Sequence, residues 1–157
     1  MRNPKLGCAL LACLLVGGCW ILGPSYKWKT RSFLRDVSES TDPNSLRRWA
    51  IQLLESSTES RQVLYEWGAG PTLPDGTSAK AEPSNLFPDE LLKHPHGPNY
   101  AYAIRRGSYS DDHVEVTWGG GFGHWGLKIG RLEYAPTDAG NYYLKWVDGI
   151  YVWHDLQ

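Results

Sequence analysis

Two apolar periods divide this chain, and no single secondary structure satisfies both. Leu46, Trp49, Ala50, Leu53 and Leu54 recur at i, i+3, i+4, i+7 and i+8. That spacing places them on one stripe of an amphipathic helix, with Arg47, Arg48, Gln52 and Glu55 on the opposite face. Asp42 precedes the stripe as an N-cap, and Pro43 takes the first helical position, where a missing N–H costs nothing. From Tyr100 onward the period is two, the period of a half-buried strand.

The strand runs are short and separated by turn residues. Tyr100, Tyr102 and Ile104 alternate with smaller or basic residues. Val114, Val116 and Trp118 alternate with His113, Glu115 and Thr117, and Trp125, Leu127 and Ile129 with His124, Gly126 and Lys128. Ser108 to Asp112 and Gly119 to Gly123 supply the turns. Asp148-Gly149 between two β-rich runs suits a two-residue hairpin. That hairpin pairs Val147 with Ile150, Trp146 with Tyr151, Lys145 with Val152, and Leu144 with Trp153. Alternation then sets Leu144, Trp146, Tyr151 and Trp153 on a core face, and Tyr143, Lys145 and His154 on the other.

Between these halves, Ser60 to Trp67 reads as a second helical piece closed by Gly68. Gly68 to Ser84 is an aperiodic loop rich in Gly and Pro, and Asn85 to Lys93 a short helix. The expected class is α+β: one or two helices packed on an antiparallel β-meander of about five strands.

The N-terminus has a different character. Arg2 and Lys5 precede Leu6 to Gly23, eighteen residues without a charge. As a helix the run would rise about 27 Å, just short of a hydrocarbon core of roughly 30 Å. Two readings fit. Val16-Gly17-Gly18-Cys19 resembles a bacterial lipobox, an aliphatic and two small residues before the cysteine that would carry the lipid. Alternatively the run is an uncleaved transmembrane anchor, with Trp20, Tyr26 and Trp28 at the far interface. Lys27, Lys29 and Arg31 would then bias the domain toward the cytoplasm, a conflict the lipoprotein reading avoids. The chain thus divides into a membrane segment over residues 1–23, a juxtamembrane spacer over 24–41 and a single α+β domain over 42–157. The expected location is the outer side of the cytoplasmic membrane.

Composition narrows the function classes. With Arg2 and Lys5 set aside, fourteen basic residues face seventeen acidic ones, so no nucleic-acid footprint is expected. Cys8, Cys13 and Cys19 all fall in the apolar run, which leaves the domain without a disulfide framework or a cysteine nucleophile. Gly121-Phe122-Gly123-His124-Trp125-Gly126 matches G-x-G-x-x-G, but a strand follows it where a dinucleotide site needs a helix. It reads as a glycine-rich hairpin connection and an exposed rim beside Trp118 and Trp125. His113, His124 and His154 fall on the non-core face in the expected register, where imidazoles with nearby Asp111, Asp112 or Asp155 could serve a metal-dependent or acid–base hydrolase. His94 and His96 flank a proline on a loop. There is no H-E-x-x-H and no G-x-S-x-G, and no catalytic residue, metal or cofactor is assigned.

Eight Trp and nine Tyr are many for such a chain. Amphipathic rings suit both a small core and a recognition surface. The expectation is a membrane-anchored envelope protein that binds a partner protein or a glycan on an aromatic-rich sheet face. Trp118, Trp125, His124, His113 and His154 are its candidate ligand contacts and Cys19 its candidate lipidation site. The hydrolase is the alternative.

Overall fold

The computed structural model describes residues 25–66, 86–93, 97–119 and 123–156. Among these residues, three helices pack on a six-stranded antiparallel sheet, an α+β architecture. Helix α1 spans Ser25–Ser40, α2 Pro43–Ser56 and the short α3 Asp89–Leu92. The strands are β1 (Arg61–Glu66), β2 (Tyr100–Ile104), β3 (His113–Gly119), β4 (His124–Gly130), β5 (Asn141–Val147) and β6 (Ile150–Asp155). The order across the sheet is β1-β2-β3-β4-β6-β5. β1 to β4 run as a meander, of which β2 to β4 are the expected part, but β6 inserts beside β4 and sends β5 to the edge.

Helix α2 forms as its sequence requires. The Asp42 carboxylate accepts hydrogen bonds from the backbone N–H of Ser45 at 2.9 Å and Asn44 at 3.3 Å, satisfying two orphan donors of the first turn. Leu46, Ala50 and Leu54 are buried, and Trp49 and Leu53 pack at their margin. The Trp49 indole N–H donates to the Leu86 carbonyl at 2.8 Å, fastening the segment before α3. Phe87 then packs edge-on against Tyr65 at 5.2 Å.

Residues 25–40, expected as a spacer, form a helix packed into the core. Thr30, Phe33 and Val37 face the sheet and are buried. Thr30 satisfies its hydroxyl within the helix by donating to the Tyr26 carbonyl at 2.7 Å. Tyr26, which the transmembrane reading sets at a membrane interface, packs edge-on against Tyr142 at 5.4 Å. Among the described residues no helix is long and apolar enough to cross a membrane; Leu6 to Gly23 lies outside them, as do His94 and His96.

Three strand expectations need correction. Ser60 to Trp67 was expected to be helical, yet β1 runs through it, with a register shift between Val63 and Tyr65. In β2 the faces are inverted: Ala101 and Ala103 face the helices, and Tyr100, Tyr102 and Ile104 lie on the other side. Small side chains there let the helix layer approach closely. In the last hairpin Asp148-Gly149 is the turn and Val147 pairs with Ile150, as expected. A register shift at Trp146 then pairs Lys145 with Tyr151, Leu144 with Val152 and Tyr143 with Trp153. β6 itself alternates without a break, and its aliphatic Ile150 and Val152 take the helix side opposite Ile129 and Leu127, so Tyr151 and Trp153 face away from the helices and His154 toward them.

Candidate functional site

The sheet has two unlike faces. The helix face carries Val114, Val116, Leu127, Ile129, Ile150 and Val152, all fully buried. The opposite face carries Tyr100, Tyr102, His113, Glu115, Lys128, Tyr143, Tyr151 and Trp153, a polar and aromatic set. The loop over residues 131–140 folds onto the middle of this second face.

Lys128 anchors that loop. Only 4% of its surface is exposed. Its ammonium donates to the Asp138 carboxylate at 3.2 and 3.3 Å and to the Tyr143 hydroxyl at 3.0 Å, with Glu115 at 3.4 Å. The Tyr143 hydroxyl in turn donates to Asp138, and the Asn141 amide adds a bond at 2.6 Å. Burial works against charge on Lys128, but the Tyr143 bond and the two carboxylates outweigh it and raise the pKa. Burial likewise pushes Asp138 up, and the bonds from Tyr143 and Asn141 together with the Lys128 charge overcome it, holding the carboxyl at about 2. The rings of Tyr143 and Trp153 lie 5.3 and 5.7 Å from the ammonium. A permanently charged, fully engaged lysine is a structural clamp rather than a nucleophile.

His113 lies next to this clamp. Its ring stacks on Tyr134 of the loop at 4.7 Å, and its Nδ1–H donates to the Asp111 carbonyl at 2.9 Å. Burial lowers its pKa to about 4, against the Asp111 bond, so the ring is neutral near pH 7. Its Nε2 has no hydrogen-bond partner in the protein, and the ring lines a cavity of about 60 Å³. Burial also raises the Tyr134 hydroxyl well above the usual tyrosine range.

The three histidines expected to meet are separated. His154 is on the helix face, stacked on Trp125 at 6.4 Å and tilted against Tyr26 at 6.1 Å. His124 sits on the second face with Asp155 3.8 Å from its Nδ1. His113 pairs with Gly130, six residues along β4 from His124, or roughly 20 Å at strand spacing. Among the described residues no three His, Cys, Asp or Glu side chains gather to hold a metal ion. His154 follows Ile150 and Val152 to the helix face by the plain alternation of β6.

Neither tryptophan expected as a ligand contact is well exposed. Trp118 is a core residue, 2% exposed, with Phe33 edge-on at 5.1 Å. Trp125 is half-buried against the same core. Of the glycine-rich stretch, residues 120–122 lie outside the described set, but β3 precedes and β4 follows it, as a strand-to-strand connection requires.

The residues with an accessible recognition geometry lie at the β1–β2 end of the second face. The rings of Tyr100 and Tyr102 stack 6.1 Å apart at only 10°. Arg61 lays its guanidinium 4.4 Å above the Tyr102 ring, and Val63 beside them is 57% exposed. The sequence did contain the signal, two tyrosines at i, i+2; reading them as the core side of β2 concealed it. A second concavity, about 670 Å³, lies between α2 and the turns at Tyr109 and Leu132. Its guanidiniums are already engaged, Arg131 by Glu55 and the Tyr109 ring, and Arg47 by Asn44 and the Asp148 carbonyl.

No protein family, curated protein or solved structure matches this chain.

Proposed function

We propose that this chain is a membrane-anchored envelope module that binds a partner protein or a glycan through the aromatic end of its second sheet face, and carries out no chemistry of its own. The observation that carries this reading is the Tyr100–Tyr102 stack with Arg61 upon Tyr102. Two nearly parallel, partly exposed rings offer apolar area with a polar rim, and they lose little conformational entropy on binding because packing has already ordered them. The neighbouring charged groups, Lys128 and Asp138, are engaged with one another and stiffen the platform.

The membrane attachment rests on Leu6 to Gly23 and on the lipobox-like Val16-Gly17-Gly18-Cys19. A tether raises the local concentration of a weak binder near its ligand, which suits a small exposed platform. Attachment through Cys19 places the domain on the outer side of the cytoplasmic membrane.

Binding of the full chain in detergent to cell-wall glycan fragments and to purified envelope proteins tests the platform. Tyr100→Ala and Tyr102→Ala should each weaken a captured interaction at least tenfold with an unchanged melting temperature. Unchanged binding in both variants would remove the platform from the reading. The intact mass of membrane-extracted protein tests the tether: Cys19 to Gln157 plus a lipid adduct supports lipidation, and the full chain from Met1 supports a transmembrane anchor.

A further inference from the structure

We infer that the outer face of α1 is a docking surface for an anionic lipid bilayer, with Trp28 as the inserted side chain. Three observations combine. First, Thr30, Phe33 and Val37 turn toward the sheet, which fixes the rotation of the helix. Trp28 therefore points away from the domain, and it is 70% exposed, the most exposed large apolar side chain described. Arg31 and Arg35 follow at i+3 and i+7 on the same side, and Lys27 and Lys29 flank it; all four are exposed.

Second, the charge is graded along the helix. The segment from Ser25 to Arg35 holds four cations and no acid, while Asp36 and Glu39 lie toward the far end. Lys27 in a first turn without a carboxylate opposes the helix dipole, so its placement does not serve the helix itself. Anionic headgroups would offset both the cations and the dipole. Their present partners are weak: Lys27 lies about 6 Å from two tyrosine rings, and Arg35 pairs with exposed Asp36.

Third, the uncharged run Leu6 to Gly23 ends just before α1. Trp28 is three residues, about 4.5 Å of helix, beyond Ser25. An amphipathic ring ringed by cations at that position matches the headgroup layer. The consequence is orientation. α1 packs on β5 and β6 from the helix side, so docking it on the bilayer turns the second sheet face, with Tyr100 and Tyr102, away from the membrane.

This inference rests on the membrane attachment proposed above, and the test separates the two. The full chain is reconstituted into vesicles of phosphatidylcholine, with and without phosphatidylglycerol, containing brominated acyl chains that quench nearby indoles. Trp28→Phe should remove a quenched component present in the mixed vesicles and reduced in phosphatidylcholine alone. Each neutralised cation should lower the docked-to-undocked ratio about fivefold. Replacing Lys27, Lys29, Arg31 and Arg35 by Gln should therefore abolish the lipid dependence. If the protein floats with vesicles but Trp28→Phe leaves quenching unchanged, the docking surface is overturned and the attachment stands. If it does not float with either vesicle, the attachment itself falls, and this inference with it. All five side chains are exposed, and an unchanged melting temperature confirms that the variants remain folded.

Discussion

The Lys128 ammonium lies 3.2 Å from the Asp138 carboxylate, joining the centre of the sheet to a loop ten residues further on. Removing one partner of such a pair strands the other, which costs more than replacing the charge by an apolar chain. Asp138→Ala should destabilise the fold by about 3 kcal/mol, at the low end for a buried pair because Glu115 remains 3.4 Å away. Lys128→Met should cost less, since Asp138 is a third exposed and can turn to solvent. Urea unfolding of both variants measures the order; equal losses would mean that the loop is held by other contacts.

The same pair sets an acid limit. The Asp138 carboxyl is held at about 2 in the folded protein, below its ordinary 3.8. A depressed carboxyl contributes stability that is present above the unfolded pKa and lost as pH falls through the folded one. Its contribution should fade between about pH 4 and pH 2, and Asp138→Asn should flatten that part of the stability curve.

His113 governs a separate, higher window. Its folded pKa of about 4 lies below the ordinary 6.5, so the unfolded chain binds a proton that the folded ring refuses. Stability should be full above pH 6.5 and fall toward pH 4, at up to about 1.4 kcal/mol per pH unit. His113→Phe preserves a ring against Tyr134 and removes the titration. The slope between pH 6.5 and 4 should disappear in that variant; its persistence would assign the acid sensitivity to another group.

Much of the fold was legible because local chemistry and packing agreed. Asp42, Pro43 and the stripe from Leu46 to Leu54 define α2 without ambiguity, and β3, β4 and the Asp148-Gly149 turn follow from alternation and turn chemistry. The failures in β1 and β5 share a cause. A bulge adds a residue to one strand and shifts the period beyond it. In β1 it leaves Gln62 and Tyr65 on the same face three residues apart, a spacing that mimics a helix. In β5 it falls at Trp146 and puts Leu144 and Val147, three residues apart, on the helix side. β6 has no bulge: its aromatic residues are expected on the core side, but the aliphatic Ile150 and Val152 take it and carry His154 with them. The expected histidine cluster is a product of that face assignment. β2 failed differently: its large residues were taken for the core side, but the helix layer needed the small side chains of Ala101 and Ala103. The Tyr100–Tyr102 platform was hidden by that inversion.

Gly126 shows how closely the central strands meet. A Cβ there would overlap the Val116 carbonyl on β3 and lie 2.9 Å from the Trp153 indole nitrogen on β6. The carbonyl cannot yield without shifting β3, and the indole would have to leave its seat. Gly126→Ala should cost about 3 kcal/mol, the upper range for overpacking. It should also alter the near-ultraviolet circular dichroism contributed by Trp153; an unperturbed signal would mean that the indole is not seated on this glycine.

Phe33 decides whether α1 is a spacer or part of the domain. Its ring meets Trp118 edge-on at 5.1 Å and lies within the hydrophobic core. A spacer helix could lose that ring without consequence. A core helix could not: deleting a buried phenyl ring costs about 3–5 kcal/mol, from lost transfer energy and the cavity left behind. Phe33→Ala should therefore lower the unfolding midpoint strongly, whereas Trp28→Ala, on the outer side of the same helix, should leave it within about 0.5 kcal/mol. The contrast isolates packing from helix propensity, because both substitutions introduce alanine into α1. If the two variants unfold together with the parent chain, α1 is a tether carried beside the sheet. If only Phe33→Ala unfolds early, the sheet and α1 form one cooperative unit, and α1 can fix the orientation of the Tyr100–Tyr102 face rigidly enough for a docked Trp28 to set it.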